Sequence, residues 1–213
     1  MTLIRTPMNN YLFIGLSGRP GSGKDTCADV LQLHHPNFYR YSFSDPAYQE
    51  ICNAFNVDAR LFTDTAAKDH PVPALAIHRC NYQLFIDEMR KTPLDLHAPR
   101  SPRFMLSLWY GDFRCNQNKN YWVELAVVAI DEAMRKGFKK FVITDICFAN
   151  EANLIKSLCG KLWLISRAEA EYRPANTNLP GTLNALWFDD VIENNGSYTS
   201  FANNVLKAYQ ESL

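Results

Sequence analysis

Short apolar runs alternate with amphipathic stretches along this chain. Five of these runs are too short for buried helices and are bounded by turn-forming or charged residues, a pattern typical of strands buried in a parallel sheet. They are "YLFIGLS" (11–17), "FYRYSFS" (38–44, stopped by Asp45 and Pro46), "KKFVITD" (139–145), "KLWLISR" (161–167) and the shorter "DDVIENNG" (189–196), which also includes a turn. The sequence therefore predicts a sheet of five strands.

Helical periodicity fills most of the intervals between the predicted strands. In "YWVELAVVAIDEAMRKG" the apolar side chains recur at the spacing of one helix face, and the stretch ends at Gly137. Further helices are predicted from Lys24 to about His34, over about 150–158, and over "YTSFANNVLKAYQES". Because strands alternate with helices, we expect right-handed crossovers and an α/β domain of three layers. Residues 46–100 contain helix-like pieces separated by prolines.

Composition narrows the class of protein. The 213 residues are 47% hydrophobic and 21% charged, which is typical of a soluble globular domain. The 22 basic and 22 acidic residues give a formal net charge of +0, which argues against binding to nucleic acid polymers. The longest aliphatic run, "LAVVAI", is too short to span a membrane, and residues 1–10 lack the apolar core of a signal peptide. With six scattered cysteines, these features predict a cytoplasmic protein without membrane association.

A glycine-rich stretch, "GRPGSGKDT", follows the first predicted strand and opens the first predicted helix. Its glycines allow a curled backbone whose N–H groups point inward, and the helix N-terminus adds a partial positive charge. This context predicts a phosphate-binding loop. The predicted nucleotide-binding residues are Gly18, Arg19, Gly21, Ser22, Gly23, Lys24, Asp25 and Thr26.

Asp25 stands where such a loop normally carries the Ser or Thr that binds Mg²⁺. A carboxylate suits magnesium at least as well as a hydroxyl does, so the loop keeps its chemical competence. Thr26 follows and can donate a hydrogen bond to an α-phosphate. Lys24 supplies a point charge for the β- and γ-phosphates. ATP and Mg²⁺ are therefore the predicted cofactors.

Several segments resemble the phage-type deoxynucleoside monophosphate kinases, a branch of the P-loop kinases. "GKDT" resembles the family's loop. Phosphomevalonate kinases share its Gly-Lys-Asp sequence. Four further segments are similar to the family's pattern, and together they cover nearly the whole chain: "YSFSDPAYQE", "SPRFMLSLWYGDFR", "ITDICFANEA" and "DDVIENNGSYTSFANNV". The family's arginine after the third-strand aspartate is replaced by Cys147, and Ser107 stands in place of its glutamine.

The resemblance implies a three-layer P-loop kinase fold with a five-stranded parallel sheet, formed by residues 1–213 as one domain. It implies a helical acceptor-binding insertion at about 46–118 and a short lid at about 167–187. The expected reaction is phosphoryl transfer from ATP to the 5′-phosphate of a deoxynucleoside monophosphate. The substrate partner would be this small nucleotide, and the resemblance also raises a homodimer as an expectation that the composition does not test.

Arginines on the acceptor side are candidate ligands of the phosphate groups, because phosphoryl transfer depends on neutralising charge. Arg103 follows "SP" at a predicted helix start and suits a bidentate grip on the acceptor phosphate. Arg114 lies eleven residues later, which on one continuous α-helix is the same face. Lys68 is a weaker candidate on the acceptor side. Arg167 and Arg173 flank "AEAEY", where a lid would reach over ATP, although exposed helices often carry such charges.

Two aspartates follow predicted strands. Asp145 ends the third strand, where a carboxylate would hold magnesium-bound water or contact substrate, although a turn-capping role competes. Asp45 follows the second strand and is a candidate contact to the acceptor's sugar or base, with an Asx-turn as the alternative. Trp109, Tyr110 and Trp122 could stack a base, but core packing is the favoured interpretation.

Two other functions remain open at this point. One is a kinase of the same architecture acting on another phosphorylated metabolite, such as phosphomevalonate. The other is a nucleotide-binding protein without transfer activity, which the loss of the family's arginine at Cys147 makes plausible.

Overall fold

The computed structural model describes residues 10–64, 67–170 and 183–213. The strands are β1 (Leu12–Ser17), β2 (Phe38–Tyr41), β3 (Lys140–Ile143), β4 (Lys161–Ser166) and β5 (Asp190–Glu193). The α-helices are α1 (Lys24–His34), α2 (Ser44–Phe55), α3 (Arg60–Thr63), α4 (Gln83–Met89), α5 (Pro102–Ser107), α6 (Tyr121–Arg135), α7 (Ala149–Ser157) and α8 (Tyr198–Glu211). A π-helix spans Leu108–Cys115, and short 3₁₀ helices span Ala67–Asp69, Pro73–Leu75, Ile77–Arg79 and Ala185–Trp187.

The five strands form one sheet in the order β2-β3-β1-β4-β5, and every pair is parallel. The glycine-rich loop follows β1, which is the central strand, so the loop lies at the middle of the sheet's carboxyl edge. Ligands of open α/β sheets bind at this edge. The predicted five-stranded parallel sheet is confirmed.

Helices cover both faces of the sheet. On one face, α1 and α8 pack together over side chains such as Ile14, Leu16 and Trp163, which are fully buried. On the other face, α7 packs against β1 and β4, and the rings of Phe13 and Phe141 stack with their centroids 4.7 Å apart. The strands alternate between these two cores, as a sheet buried on both sides requires. The three-layer α/β prediction is confirmed.

The chain divides into two compact units. The first comprises Met1–Phe43 with Val123–Leu213 and contains the sheet, and the second comprises Ser44–Trp122. The second unit is helical, and its core includes a cluster of interlocking rings from Phe55, Phe85, Trp109 and Phe113. Trp109, Tyr110 and Trp122 are 1%, 8% and 2% exposed, so the core interpretation of these residues is the one observed. The division into one domain with an insertion and a lid stays a prediction.

The second strand is shorter than predicted. Pairing ends at Tyr41, and α2 begins at Ser44, so Asp45 and Pro46 lie in the first helical turn and do not merely stop a strand. A proline is tolerated there because the first turn's N–H groups have no intrahelical partner, and an acidic residue interacts favourably with the helix dipole. Among the described helices, none is long and apolar enough to cross a membrane.

Candidate functional site

The loop between β1 and α1 has the curled backbone that the sequence predicted. Gly18, Gly21 and Gly23 have φ angles of 146°, 76° and 104°, a region that residues with a Cβ rarely adopt. The turn is closed by a hydrogen bond from the Ser22 N–H to the Arg19 carbonyl (3.1 Å), and Gly23 is the N-cap of α1. The loop therefore sits directly at a helix N-terminus, where backbone N–H groups and the helix dipole favour an anion.

The Lys24 side chain folds back over this loop. Its Nζ donates to the carbonyl oxygens of Gly18 (2.8 Å) and Arg19 (3.1 Å). Burial lowers the pKa of Lys24, while the negative charges of Asp25 and Asp145 act in the opposite direction. The ammonium is thus held at the loop and partly shielded from water. An incoming phosphate would be a stronger hydrogen-bond acceptor for it than the two neutral carbonyls.

The loop is braced from the turn after β5. The Asn194 side-chain amide donates to the Ser22 carbonyl (2.8 Å), and the Asn194 backbone N–H donates to the Ser166 carbonyl (2.7 Å). The Ser22 hydroxyl is buried without a hydrogen-bond partner within the described chain. A Cβ on Gly23 would lie 2.4 Å from Asn194 Nδ2, so the brace requires glycine at that position.

Asp25 lies in the first turn of α1 and is paired with Arg40 of β2, whose guanidinium also contacts Asp29. The N–O distances are 2.5 and 2.7 Å, and the Asp25 side chain is 82% exposed. Ion pairs this exposed contribute little stability, typically under about 1 kcal/mol, so a cation could exchange with Arg40 at small cost. Arg40 was not among the predicted site residues, although a charged residue inside an apolar strand is a signal that could have found it.

Asp145 lies just beyond β3 and is fixed by the end of β2. Its carboxylate accepts from the Ser42 hydroxyl and from the Phe43 N–H, each at 2.8 Å. The predicted turn-capping and ligand-binding roles are therefore compatible, because the carboxylate is oriented by one set of bonds while its charge still acts on Lys24. Asp25 and Asp145 both lie near enough to Lys24 for their charges to act on it, and the predicted roles of the three residues at a nucleotide and at Mg²⁺ stay predictions.

Cys147 follows Asp145 at the same edge. The residue as a whole is exposed, but its thiol group is largely surrounded by protein. This loss of water, with the negative charges of Glu151 and Asp145, raises the pKa of the thiol to about 12, and Lys24 offsets part of that shift. The thiol is neutral at physiological pH and cannot supply the positive charge of the family's arginine. All six cysteines are free thiols.

Arg103 lies in the first turn of α5, behind the N-cap Ser101, whose hydroxyl accepts from the Phe104 N–H (3.2 Å). The predicted helix start is confirmed. Arg103 donates to Asp69 through Nε (2.8 Å), and Lys68 is the preceding residue of the same 3₁₀ helix as Asp69. Both basic side chains therefore belong to one neighbourhood of the second unit, while Asp45 lies in the first turn of α2. Their predicted contacts with an acceptor stay predictions.

Arg114 does not share one α-helical face with Arg103. The α-helix ends at Ser107, and Arg114 belongs to the π-helix, whose i to i+5 hydrogen bonds turn each residue less than an α-helix does. The prediction that Arg103 and Arg114 share one helix face is therefore wrong. Arg114 instead forms a partly buried ion pair with Glu50 of α2, with 2.8 Å between Nε and Oε2. Its role at the acceptor phosphate stays a prediction.

The lid is only partly described. Arg167 follows β4 and pairs with Glu169 on the surface (3.1 Å), which neither supports nor removes its predicted role over ATP. Arg173 and most of the predicted lid at about 167–187 lie outside the described residues.

The residues around the loop are compatible with Mg²⁺. Among the described residues, no cluster of three or more His, Cys, Asp or Glu side chains could hold a metal alone. Magnesium in kinases needs no such cage, because one or two carboxylates, water and the phosphates of the substrate complete its coordination. Asp25 and Asp145, whose charges both act on Lys24, are hard oxygen donors of this type.

Comparisons with known proteins agree with the fold and with the motif resemblance. No protein-family model matches the chain. A curated relative from Acanthamoeba polyphaga mimivirus, named "Putative deoxynucleotide monophosphate kinase", is 25% identical over 206 residues, which cover 92% of this chain and 94% of the relative. The resemblance inferred from the motifs is confirmed by this relative.

A solved structure shares the fold. The crystal structure of TT1252 from Thermus thermophilus matches with a TM-score of 0.54 at 15% identity, over 96% of this chain and 99% of that one. A dephospho-CoA kinase from Campylobacter jejuni matches with a TM-score of 0.48 at 13% identity, over 93% of this chain and 96% of that one.

Proposed function

We propose that the protein is an ATP- and Mg²⁺-dependent kinase that transfers the γ-phosphoryl group to the 5′-phosphate of a deoxynucleoside monophosphate. The observation that carries the proposal is the curled loop at the tip of β1, with the Lys24 ammonium held across it by two loop carbonyls. The name of the curated relative supports a deoxynucleoside monophosphate as the substrate.

In this proposal the loop N–H groups and Lys24 bind the β- and γ-phosphates. Phosphoryl transfer requires mainly alignment and charge neutralisation, so a preformed nest of donors is the appropriate machinery. Mg²⁺ held by Asp25 and Asp145 would neutralise the charge on the phosphate oxygens. The bonds that fix Asp145 to Ser42 and Phe43 keep that carboxylate in place before any ligand arrives.

Arg103 is the proposed ligand of the acceptor phosphate, with Lys68 beside it. The Arg103–Asp69 pair is about two-fifths exposed on both sides, so a dianionic phosphate can replace Asp69 at little cost. Its guanidinium offers a planar pair of donors that matches two phosphate oxygens. Arg167 and Arg173 are proposed to approach the transferring phosphoryl group from the lid.

The test is a coupled assay with ATP and Mg²⁺ against a panel of deoxynucleoside monophosphates, with phosphomevalonate included as a non-nucleotide acceptor. Lys24→Ala should abolish transfer while the protein stays folded. Lys91→Ala is the matched control, because Lys91 is an exposed lysine paired with Glu88. Turnover of phosphomevalonate alone would reject the nucleotide acceptor, and ATP binding without any product would favour a binding protein.

A further inference from the structure

The phosphate-binding loop is held in part by a side chain from a distant segment. Asn194, in the turn after β5, donates its side-chain amide to the Ser22 carbonyl through a partly buried bond of 2.8 Å. The bonds that close the loop and hold Lys24 come from the loop itself, through the carbonyls of Gly18 and Arg19. The direction of the Ser22 carbonyl thus depends on a residue outside the loop.

The Ser22 carbonyl and the Gly23 N–H belong to one peptide group. The group is planar, and no described peptide bond is cis, so the C=O and N–H bonds point in opposite directions. A hydrogen bond that holds the Ser22 carbonyl towards Asn194 therefore holds the Gly23 N–H on the opposite side. Gly23 is the N-cap of α1, so its N–H lies at the helix terminus where backbone donors favour an anion.

The Ser22–Gly23 peptide needs such a restraint because glycine allows it to turn over. Gly23 has a φ angle of 104°, and glycine populates positive and negative φ about equally well. Rotation of the peptide would exchange the directions of the carbonyl and the N–H, and would point an oxygen instead of a donor at a bound phosphate. The hydrogen bond from Asn194 favours one of these two orientations. It therefore selects the direction of a donor as well as adding stability.

The turn that carries Asn194 is anchored on β4. The Asn194 N–H donates to the Ser166 carbonyl (2.7 Å). The Asn195 side-chain oxygen accepts from the Ala168 N–H, also at 2.7 Å. Because β4 pairs directly with β1, the turn is fixed to the same part of the sheet that carries the loop. Asn194 therefore presents its amide from a fixed support.

We propose that Asn194 is a positioning residue of the ATP site. Through the Ser22–Gly23 peptide it keeps the Gly23 N–H directed at the phosphates before ATP binds, and its own side chain does not contact the nucleotide. When the binding-competent conformation is only a fraction of the population, the apparent Kd rises in inverse proportion to that fraction. Loss of the Asn194 amide should therefore weaken ATP binding and leave acceptor binding unchanged. The inference rests on the proposed function for the identity of the ligand.

The first test measures the Kd for ATP by calorimetry in the presence of Mg²⁺. Asn194→Ala should raise this Kd by about three- to ten-fold, the equivalent of one ordinary hydrogen bond. In the coupled assay the KM for ATP should rise by a similar factor, while the KM for the acceptor stays unchanged. Asn204→Ala is the matched control, because the Asn204 amide also donates to a carbonyl beside this turn, that of Glu193 at the end of β5 (3.1 Å). An equal rise in both variants would show a general effect on the turn and would overturn the proposal.

Aspartate substitutions at two neighbouring positions separate the hydrogen bond from the effect of charge. Asn194→Asp removes the donor at nearly unchanged size and places an oxygen against the Ser22 carbonyl, so it should weaken ATP binding at least as much as Asn194→Ala. Asn195→Asp adds the same charge one residue later but keeps the oxygen that accepts from the Ala168 N–H, so its Kd should stay close to that of the wild type. Equal weakening by both aspartates would assign the effect to charge and reject the positioning role.

Inorganic tripolyphosphate distinguishes a positioning role from direct contact with the nucleoside. It carries the phosphate chain without a base or a sugar, so Asn194→Ala should raise its Kd by the same factor as the Kd for ATP. A loss confined to ATP would mean that Asn194 contacts the base or the sugar, which the proposal excludes.

The positioning role and the kinase activity can fail separately, because ATP binding is measured without an acceptor. A wild type that binds ATP and transfers nothing would reject the kinase, and the Kd values of the Asn194 variants would still support the positioning role. Phosphoryl transfer by the wild type, together with an Asn194→Asp variant that binds ATP with the wild-type Kd, would overturn the positioning role and leave the kinase intact. Calorimetry reports the binding stoichiometry separately, so a partly unfolded variant does not imitate a change in Kd.

Discussion

Replacing Gly23 with alanine tests whether the loop works as a braced, curled nest. Gly23 has a φ angle of 104°, and a Cβ placed there would lie 2.4 Å from Asn194 Nδ2. Gly23→Ala therefore has two consequences. The backbone is strained, and the Asn194 amide must move away from the Ser22 carbonyl to which it donates.

Backbone strain and the lost hydrogen bond together set the expected loss of stability. A non-glycine residue in the left-handed region costs about 1–2 kcal/mol, and loss of the Asn194–Ser22 hydrogen bond adds about 1 kcal/mol. We expect Gly23→Ala to destabilise the protein by about 2–3 kcal/mol. In a protein of this size each kcal/mol lowers Tm by about 2–4 °C, so Tm should fall by about 5–10 °C.

Gly21→Ala is the matched control. Gly21 also has a positive φ, 76°, but a Cβ there meets no atom within 4 Å, so only the strain of about 1–2 kcal/mol applies. Asn194→Ala alone should cost about 1 kcal/mol through the lost hydrogen bond. Because Gly23→Ala and Asn194→Ala remove the same bond, the double variant should be more stable than additivity predicts, by about 1 kcal/mol.

Thermal and urea unfolding of the four variants would measure these differences. Two results would contradict the brace: Gly23→Ala no more destabilising than Gly21→Ala, or additive effects of the Gly23 and Asn194 substitutions. Either result would mean that the turn after β5 does not brace the loop.

Three further substitutions test the site's electrostatics. The pKa of Lys24 is lowered in the folded state, so the unfolded chain binds the proton more tightly. In urea titrations, the stability of the wild type relative to Lys24→Met should therefore rise as the pH increases from the lowered pKa towards 10.5. A stability difference that does not depend on pH would contradict this. Arg40→Met should change the free energy of unfolding by less than about 1 kcal/mol. It should also lower the Mg²⁺ concentration needed for half-maximal turnover, because Asp25 loses its ion pair with Arg40. Arg60→Met, which breaks another exposed ion pair, is the control, and an unchanged Mg²⁺ requirement in Arg40→Met would mean that Asp25 does not bind the metal. Glu151→Ala should lower the free energy of unfolding, measured in urea, by about 2–4 kcal/mol. The reason is that this buried carboxylate accepts hydrogen bonds from the N–H groups of Cys147 and Phe148 at the start of α7. A loss below about 0.5 kcal/mol would show that water replaces the carboxylate as the acceptor.

The sheet and its loop could be predicted because they depend on local pattern. Runs such as "KLWLISR" are typical of strands buried on both faces, and the cluster of glycines in "GRPGSGK" is typical of a curled turn with positive φ angles, so β4 and the loop are visible in the sequence alone. The start of α5 was equally accessible, since Ser101 and Pro102 form a recognisable N-terminus. In these segments neighbouring residues determine the conformation.

Contacts between distant segments were not predictable in this way. Asn194 braces Ser22 from 172 residues away, and Glu50 is held by donors 59 to 71 residues along the chain. Neither residue stands out in its own segment: Asn194 sits in a polar turn and Glu50 on the polar side of an amphipathic helix. Their importance arises from what the fold places opposite them.

The π-helix changes which residues Arg103 and Arg114 can contact. Eleven residues of continuous α-helix would align Arg103 with Arg114 and suggest a single phosphate clamp. The wider turn after Ser107 separates them, so Arg103 pairs with Asp69 while Arg114 pairs with Glu50 among four aromatic rings. A guanidinium buried this way would lose its partner and its cage if it moved to a phosphate, whereas Arg103 exchanges only a surface ion pair. This energetic asymmetry favours Arg103 over Arg114 as the ligand of an acceptor phosphate, a role that stays a prediction for both residues.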